Sequence, residues 1–322
     1  MLDMIIVGAG PIGMTCAIEA KRAGFNALMI DKGSLVNTLF HFPTNMTYFS
    51  TSRLLEIGNV PFVSHGEKPT RIESLEYFRR VHESWGLKVN LYEEVENVKK
   101  ENDHFKITTS KDTYLAKAVV IATGFYGLPI MMNVPGEDLP KVHHYYSESH
   151  PYVGQRVVIV GAANSACDVA LELFHKSVDV TMIIRAASIS DRVKYWIKPN
   201  IENRINEGSI KAYFNSHVIR ITEKTIEVET PDGPISLPND YVLAMTGYQP
   251  DFKFLKQAGI TLTDDGEPEL VYDPLTHETN VPGLYVAGVV CGGLRTNKWL
   301  IENARDHGEK IIKNVRRRLT DV

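Results

Sequence analysis

The chain has 322 residues, 43 % of them apolar and 23 % charged, the balance of a soluble globular protein with room for two ordinary domains. Its 39 acids against 35 lysines and arginines leave a net charge of −4, so it lacks the basic surplus of a general nucleic-acid binder. Three cysteines, Cys16, Cys167 and Cys291, are too few and too scattered for a disulfide framework or a Cys-based zinc site, and a reducing cytoplasm is expected.

The sequence opens on a strand, Met4 to Val7, followed by Gly8-Ala9-Gly10-Pro11-Ile12-Gly13 and a helical stretch from Met14 to Ala23. A second apolar run, Ala27 to Ile30, stops at Asp31, about 20 residues beyond the turn. This is the dinucleotide fingerprint in its full context. Gly8 permits the tight turn, Gly10 lets the backbone approach a pyrophosphate, and Gly13 lets the helix pack close to the strand. The helix N-terminus offers free N–H groups to the phosphates, and Asp31 can accept from a ribose diol.

Short alternating strands from Tyr92 to Val120, with a turn at Asn102-Asp103, predict a β-meander. It ends on the apolar strand Val119 to Ala122 and the turn Thr123-Gly124. The fingerprint then recurs. Arg156 to Val160 predict a strand, Gly161-Ala162-Ala163-Asn164-Ser165-Ala166 the turn, Cys167 to Lys176 a helix and Val180 to Ile184 the next strand. That strand ends on Arg185. A guanidinium suits a ribose 2′-phosphate where an acid suits a bare 2′-hydroxyl. The acid-ended site therefore suits FAD and the arginine-ended site NADPH.

Residues 212 to 240, with a turn at Pro231-Asp232-Gly233-Pro234, resemble the first meander. Val242 to Thr246 with Gly247, and Gly283 to Ala287 with Gly288, repeat the strand-and-tight-turn pattern, and a helix is expected over residues 298 to 315. Its Arg316, Arg317 and Arg318 read as a solvated face. The fold class is α/β, with two Rossmann-like dinucleotide-binding domains, the NADPH domain inserted into the FAD domain. The expected boundaries are 1–124 and 247–322 for FAD and 125–246 for NADPH. No run approaches the ~20 apolar residues of a membrane span, no secretory leader is visible, and no His/Glu spacing suggests a metal.

The order GAGPIG, ATG, GAANSA with its arginine, AMTGY and GLYVAG resembles the two-dinucleotide-domain flavoproteins related to thioredoxin reductase. Within them the chain is similar to the bacillithiol-disulfide reductase group. The stretches Phe42-Pro43-Thr44 with Thr47 to Ser50, His144 to Tyr146 with His150 to Tyr152, and Lys194 to Trp196 with Pro199-Asn200 carry that likeness, as does Val289. The resemblance implies FAD, NADPH, a homodimer and reduction of a small disulfide. To the fingerprint residues Gly8, Gly10, Pro11, Ile12, Gly13 and Asp31 it adds Lys32, Thr38, Tyr48, Phe49, Val95, Ala122, Thr123, Gly124, Gly288, Val289 and Ile301 around FAD. Around NADPH it places Gly161, Ala163, Asn164, Ser165, Ala166, Arg185, Lys194, Thr246 and Gly247. Phe42 is expected to wall the flavin with Tyr48 and Phe49, and His41, His143, His144 and His150 are candidate proton donors.

Two departures concern the chemistry. The Cys-x-x-Cys of thioredoxin reductases would fall in residues 139–153, which contain no cysteine. The single cysteine of the bacillithiol-type group would stand just before the third glycine, where this chain has Ile12. Cys16 is one turn, ~5.4 Å, further along the helix, and Cys167 lies in the second nucleotide helix. Cys291, on the loop before the last helix, is the remaining candidate thiol. The expectation is electron transfer from NADPH through FAD to a small disulfide or another acceptor without a catalytic cysteine. A flavin monooxygenase, a ferredoxin-type NADP reductase and a non-catalytic flavin sensor remain the alternative readings.

Overall fold

The computed structural model describes residues 1–264 and 266–320. The chain divides into two compact units, Met1–Leu128 with Tyr248–Val322, and Pro129–Gly247.

The first unit is built on a sheet in the order Val89–Asn90, Ala27–Ile30, Leu2–Val7, Thr113–Ile121, His104–Thr109, Val95–Glu101. Leu284–Val286 also pairs with Thr113–Ile121, in parallel. That long strand serves two ladders. Its second half runs parallel to Leu2–Val7, with Ile5 opposite Val119, and its first half runs antiparallel to His104–Thr109. Met4 to Val7 are apolar at successive positions because both faces of the strand are covered there. Met4 and Ile6 enter one buried cluster with Met14 and Phe78, while Ile5 and Val7 enter the opposite one with Phe105 and Leu255. The meander turn forms at Asn102, whose φ of +51° suits asparagine.

The helix Pro11–Arg22 begins on Gly10 with proline in its first turn, where a missing N–H costs no hydrogen bond. The single helix expected over 298 to 315 is instead two, Ile301–Ala304 and His307–Thr320. The second of these crosses Pro11–Arg22 closely. A Cβ on Gly308 would lie 2.9 Å from the Thr15 carbonyl, so the second helix presses its glycine on the backbone of Pro11–Arg22. The arginines 316 to 318 are exposed, and Arg318 pairs with Glu278 at 2.5 Å.

In the second unit five parallel strands run in the order Lys211–Tyr213, Asp179–Ile183, Arg156–Val160, Tyr241–Ala244, Val142–His143. An antiparallel sheet of His217–Ile221, Thr225–Thr230 and Gly233–Pro238 accompanies it. The helix Asn164–Phe174 buries Ala166, Cys167, Val169, Ala170, Leu171 and Leu173, an apolar stripe at helical spacing.

Candidate functional site

Gly8 sits at φ +107°, and a Cβ there would come within 2.5 Å of the Ala122 carbonyl oxygen at the end of the neighbouring strand. At Gly13 a Cβ would lie 2.0 Å from the Gly8 oxygen. Gly10 differs, since nothing stands within 4 Å of its missing Cβ. The first and third glycines close the turn and the second opens it to a ligand. No side chain caps the helix that starts there, and no acid occupies its first turn. Its N-terminal N–H groups and positive dipole end therefore remain for an anion. Asp31 holds the turn from the side, accepting from the Ala9 N–H through Oδ2 and the Gly33 N–H through Oδ1, both at 2.8 Å.

These elements open into a cleft enclosing about 1190 Å³, mouth included. Of the sequence-predicted residues, Gly8, Gly10, Pro11, Ile12, Asp31, Thr38, Tyr48, Phe49, Ala122, Thr123, Gly124, Gly288, Val289 and Ile301 line it, as does Phe42. Gly13 and Lys32 do not. Val95 is buried in the core beneath, paired with Thr109. Tyr48 is buried, donates to the Ser74 hydroxyl at 3.1 Å, and has its phenol pushed up to about 12 by burial. Ile12 packs on the third turn, where a Cβ on Gly288 would be 3.2 Å from the Ile12 Cβ. The uncapped helix, the open Gly10 and the Asp31 carboxylate fit the pyrophosphate and ribose of a dinucleotide, and the apolar walls fit an aromatic ring system.

Sequence reading missed one polar pair in the cleft. Ser50 Oγ donates to Glu302 Oε1 at 2.6 Å, across 252 positions of the chain. No local pattern signals it, because Ser50 and Glu302 belong to no common motif.

The three cysteines are all buried and unbridged. Burial pushes the thiols of Cys16 and Cys167 up to about 12, and pushes Cys291 up as well. None lines the cleft. Cys291 lies instead in a buried cluster with His277 and His307, its Sγ 4.0 Å from His277 Nδ1. Spacing did not reveal this set of metal-type donors; each imidazole makes one hydrogen bond through Nδ1, and Nε2 of His307 is buried without a hydrogen-bond partner among the described residues. His277 Nδ1 lies 3.2 Å from the Val286 carbonyl, and His307 Nδ1 accepts from the Gly288 N–H at 3.1 Å. Burial pushes His277 down to about 4 and His307 down to about 3. Both are therefore neutral at physiological pH, and His307 serves as a prop behind the cleft-lining Gly288 turn. The histidines proposed from sequence are elsewhere: His41 and His150 are exposed, His143 contacts the Tyr152 hydroxyl, and His144 lies 3.5 Å from Glu137.

The second unit repeats the turn within its own sheet. Gly161 has φ +133°, and its Cβ would meet the Met245 carbonyl at 2.5 Å. Ala163 takes the position of Gly10 at the helix start, also without a side-chain cap. The Asn164 side chain is used at both ends, accepting from the Lys194 N–H and donating to the Arg192 carbonyl, each at 3.0 Å. It pins the loop carrying Arg192 and Lys194 over the helix N-terminus. Lys194 pairs with Asp168 at 2.9 Å, and Arg185 and Arg192 are exposed. Arg192 was missed because its place depends on that tether. Thr246 donates to the Ile130 carbonyl at 2.6 Å, and Gly247 has φ +99°.

Two fingerprint turns, one on the parallel part of a mixed sheet and one on a parallel sheet, define a flavoprotein oxidoreductase of the two-dinucleotide-domain class. The chain belongs to the pyridine nucleotide-disulphide oxidoreductase family, whose model matches residues 5–288. It is 42 % identical over 317 residues to the bacilliredoxin reductase Bdr of Bacillus subtilis (strain 168), covering 98 % of this chain and 97 % of the relative. The bacillithiol disulfide reductase Bdr of Staphylococcus aureus superimposes with a TM-score of 0.95 at 43 % identity, covering 98 % of each chain. Its counterpart from Bacillus cereus gives 0.96 at 39 % identity, covering 98 % of this chain and 99 % of that one. The chain is an FAD-dependent NADPH oxidoreductase of thioredoxin-reductase-like fold. No helix among the described residues is long and apolar enough to cross a membrane.

Proposed function

We propose that the chain passes two electrons from NADPH through FAD to a small disulfide, with no cysteine of its own in the path. The observation that carries the cysteine-free route is the burial of all three thiols away from a cleft in which isoleucine stands at the position of the family thiol. The full-length likeness to bacillithiol disulfide reductases supports the disulfide as acceptor.

When bound, FAD would supply a two-electron redox centre between NADPH and the acceptor. The rest falls to the chain's own residues. The N-terminal amides of Pro11–Arg22 bind the pyrophosphate beside Gly10, and Asp31 accepts from the adjoining ribose. Phe42, Tyr48, Phe49 and Ile12 form the apolar wall that keeps water from the reacting ring. In the other unit the amides at Asn164 and Ser165 hold the NADPH pyrophosphate, and Arg185 with Arg192 and Lys194 reads the 2′-phosphate. Assignment of the first unit to FAD and of Pro129–Gly247 to NADPH follows from Asp31 and Arg185. The free cysteines suit a reducing cytoplasm. The reading includes a homodimer, for which exposed Leu54, Val63 and Ile72 supply apolar surface.

The test is to reduce the yellow protein with NADPH without oxygen, then add bacillithiol disulfide, other disulfides, ferredoxin or air in turn. Rapid reoxidation by a disulfide is the expected result. Preference for air with formation of an oxygenated product would indicate a monooxygenase, and preference for ferredoxin a protein-directed reductase. Failure of NADPH to bleach the flavin would end the reading altogether.

A further inference from the structure

One buried cluster of ligand-type side chains in the first unit has no part in the electron path. His277, Cys291 and His307 are each at most 1 % exposed. One ring nitrogen from each histidine and the Cys291 Sγ all lie within 4.8 Å of one another. A point between three atoms so spaced is about 2.8 Å or less, 4.8 Å over √3, from each of them. Zinc bonds of ~2.0–2.1 Å to nitrogen and ~2.3 Å to sulfur therefore need each group to move by less than about 1 Å.

Two observations set the cluster apart from ordinary core. Nε2 of His307 is buried with no hydrogen-bond partner among the described residues, a state that costs free energy until something binds there. His277 holds a left-handed φ of +59°, its N–H donated to the Asp273 carbonyl at 2.7 Å and its carbonyl accepting from the Val286 N–H at 3.0 Å. A backbone pinned in that sparsely populated region fixes where the imidazole stands. The Val286 carbonyl, 3.2 Å from His277 Nδ1, orients the ring further, as carbonyls do behind metal-ligating histidines. Tyr272 stacks on His277 and Trp299 meets His307 edge-on, so the surroundings are aromatic and dry.

We propose that His277, Cys291 and His307 form a binding site for Zn²⁺, and that its occupancy opposes flavin binding. The proposal is independent of which acceptor the enzyme reduces. Two imidazoles and a thiolate, with no carboxylate, are a donor set that suits Zn²⁺ over Mg²⁺ or Ca²⁺. On binding, the Cys291 S–H bond gives way to a Zn–S bond and the proton leaves to solvent. No electron moves, because Zn²⁺ has no redox chemistry. The link to flavin runs through His307, whose Nδ1 accepts from the Gly288 N–H at 3.1 Å. If Nδ1 ligates zinc, its lone pair is used. If Nε2 ligates, the ring proton moves to Nδ1, which then cannot accept. Either way the Gly288 N–H loses its partner. Gly288, at φ +81°, lines the cleft assigned to FAD. Zinc and flavin therefore weaken each other by the same factor.

The test takes the flavin-loaded, full-length protein, washed with a chelator and then given one equivalent of ZnCl₂. After gel filtration, elemental analysis should find one zinc per chain. Zinc-edge X-ray absorption should show one sulfur at ~2.3 Å and two nitrogens at ~2.0–2.1 Å. Fluorescence of released flavin should give an FAD affinity about 10-fold weaker with zinc than without, a usual size for coupled sites. Cys291→Ser should lose the sulfur shell and most of the zinc, and its FAD affinity should no longer respond to the metal. If that variant does not fold, His277→Asn replaces it, since asparagine tolerates the left-handed φ, and should lose zinc in the same way. No zinc after gel filtration, or a shell of nitrogen and oxygen alone, overturns the site. Zinc held through sulfur with an unchanged FAD affinity overturns the link to Gly288.

Discussion

The turns Gly8–Gly13 and Gly161–Ala166 follow the same plan with different tolerances. In each, the first glycine holds a positive φ and presses on a carbonyl at the end of the next strand, Ala122 in one and Met245 in the other. The last position separates them. Gly13 has its neighbour's oxygen 2.0 Å from where a Cβ would be, whereas Ala166 already carries a methyl, 3.4 Å from the Cβ that Gly161 would bear. The middle positions are alike, since Gly10 (φ −77°, ψ 179°) and Ala163 (φ −94°, ψ −175°) are both extended, a conformation open to any residue. The first turn therefore brings its helix closer to its strand. Its flank is fixed by an acid bonded to the turn itself, while the second is flanked by exposed Arg185 and by a loop that Asn164 ties down.

The sharpest way to break this comparison is a methyl group at each last position. Gly13→Ala should cost about 3 kcal/mol or more through overpacking and abolish flavin retention. The reciprocal Ala166→Gly should cost only ~0.5–1 kcal/mol of helix stability. Flavin content by absorbance and thermal unfolding of both variants check this, and a yellow, stable Gly13→Ala protein would refute the close-packed turn.

The flanks give the next effect. Arg185→Ala should raise KM for NADPH by roughly 30-fold, about 2 kcal/mol for a charge-assisted contact, and leave NADH nearly unchanged. Equal losses with both nucleotides would show that Arg185 does not read the phosphate. Asn164→Ala should weaken both, since it frees the loop rather than one charge.

Acid should distinguish the units as well. His277 and His307 lie in the first, neutral and buried, with folded-state values near 4 and 3 against 6.5 in the unfolded chain. Between those values the unfolded state binds more protons, so stability is complete above pH 6.5 and falls as pH drops toward 4 and then 3. His307→Gln should flatten that fall in the melting temperature, and it should loosen the Gly288 turn that the imidazole props. An unchanged acid profile would count against the buried pair.

The smallest expected effect is on the thiols. Replacing Cys16, Cys167 and Cys291 together by alanine or serine should leave NADPH-dependent acceptor reduction within a few-fold, provided flavin stays bound. A loss of ~10³ in kcat, about 4 kcal/mol of barrier, would restore a thiol mechanism. Single substitutions would then trace it.

Sequence alone determined the two turns, their order, the acid and arginine that flank them, and so the oxidoreductase class. The reason is local. A backbone that must pass a carbonyl or a pyrophosphate at van der Waals distance dictates glycine or alanine at fixed spacing, and strands covered on both faces dictate unbroken apolar runs. Tertiary structure decided the rest. Ser50 and Glu302 meet across 252 positions, Asn164 serves a loop beyond the next strand, and His307 reaches back to Gly288. Gly308 lets the last helix cross Pro11–Arg22 closely against Thr15. Each of these depends on which faces pack together, and spacing along one segment carries no information about the segment it will meet.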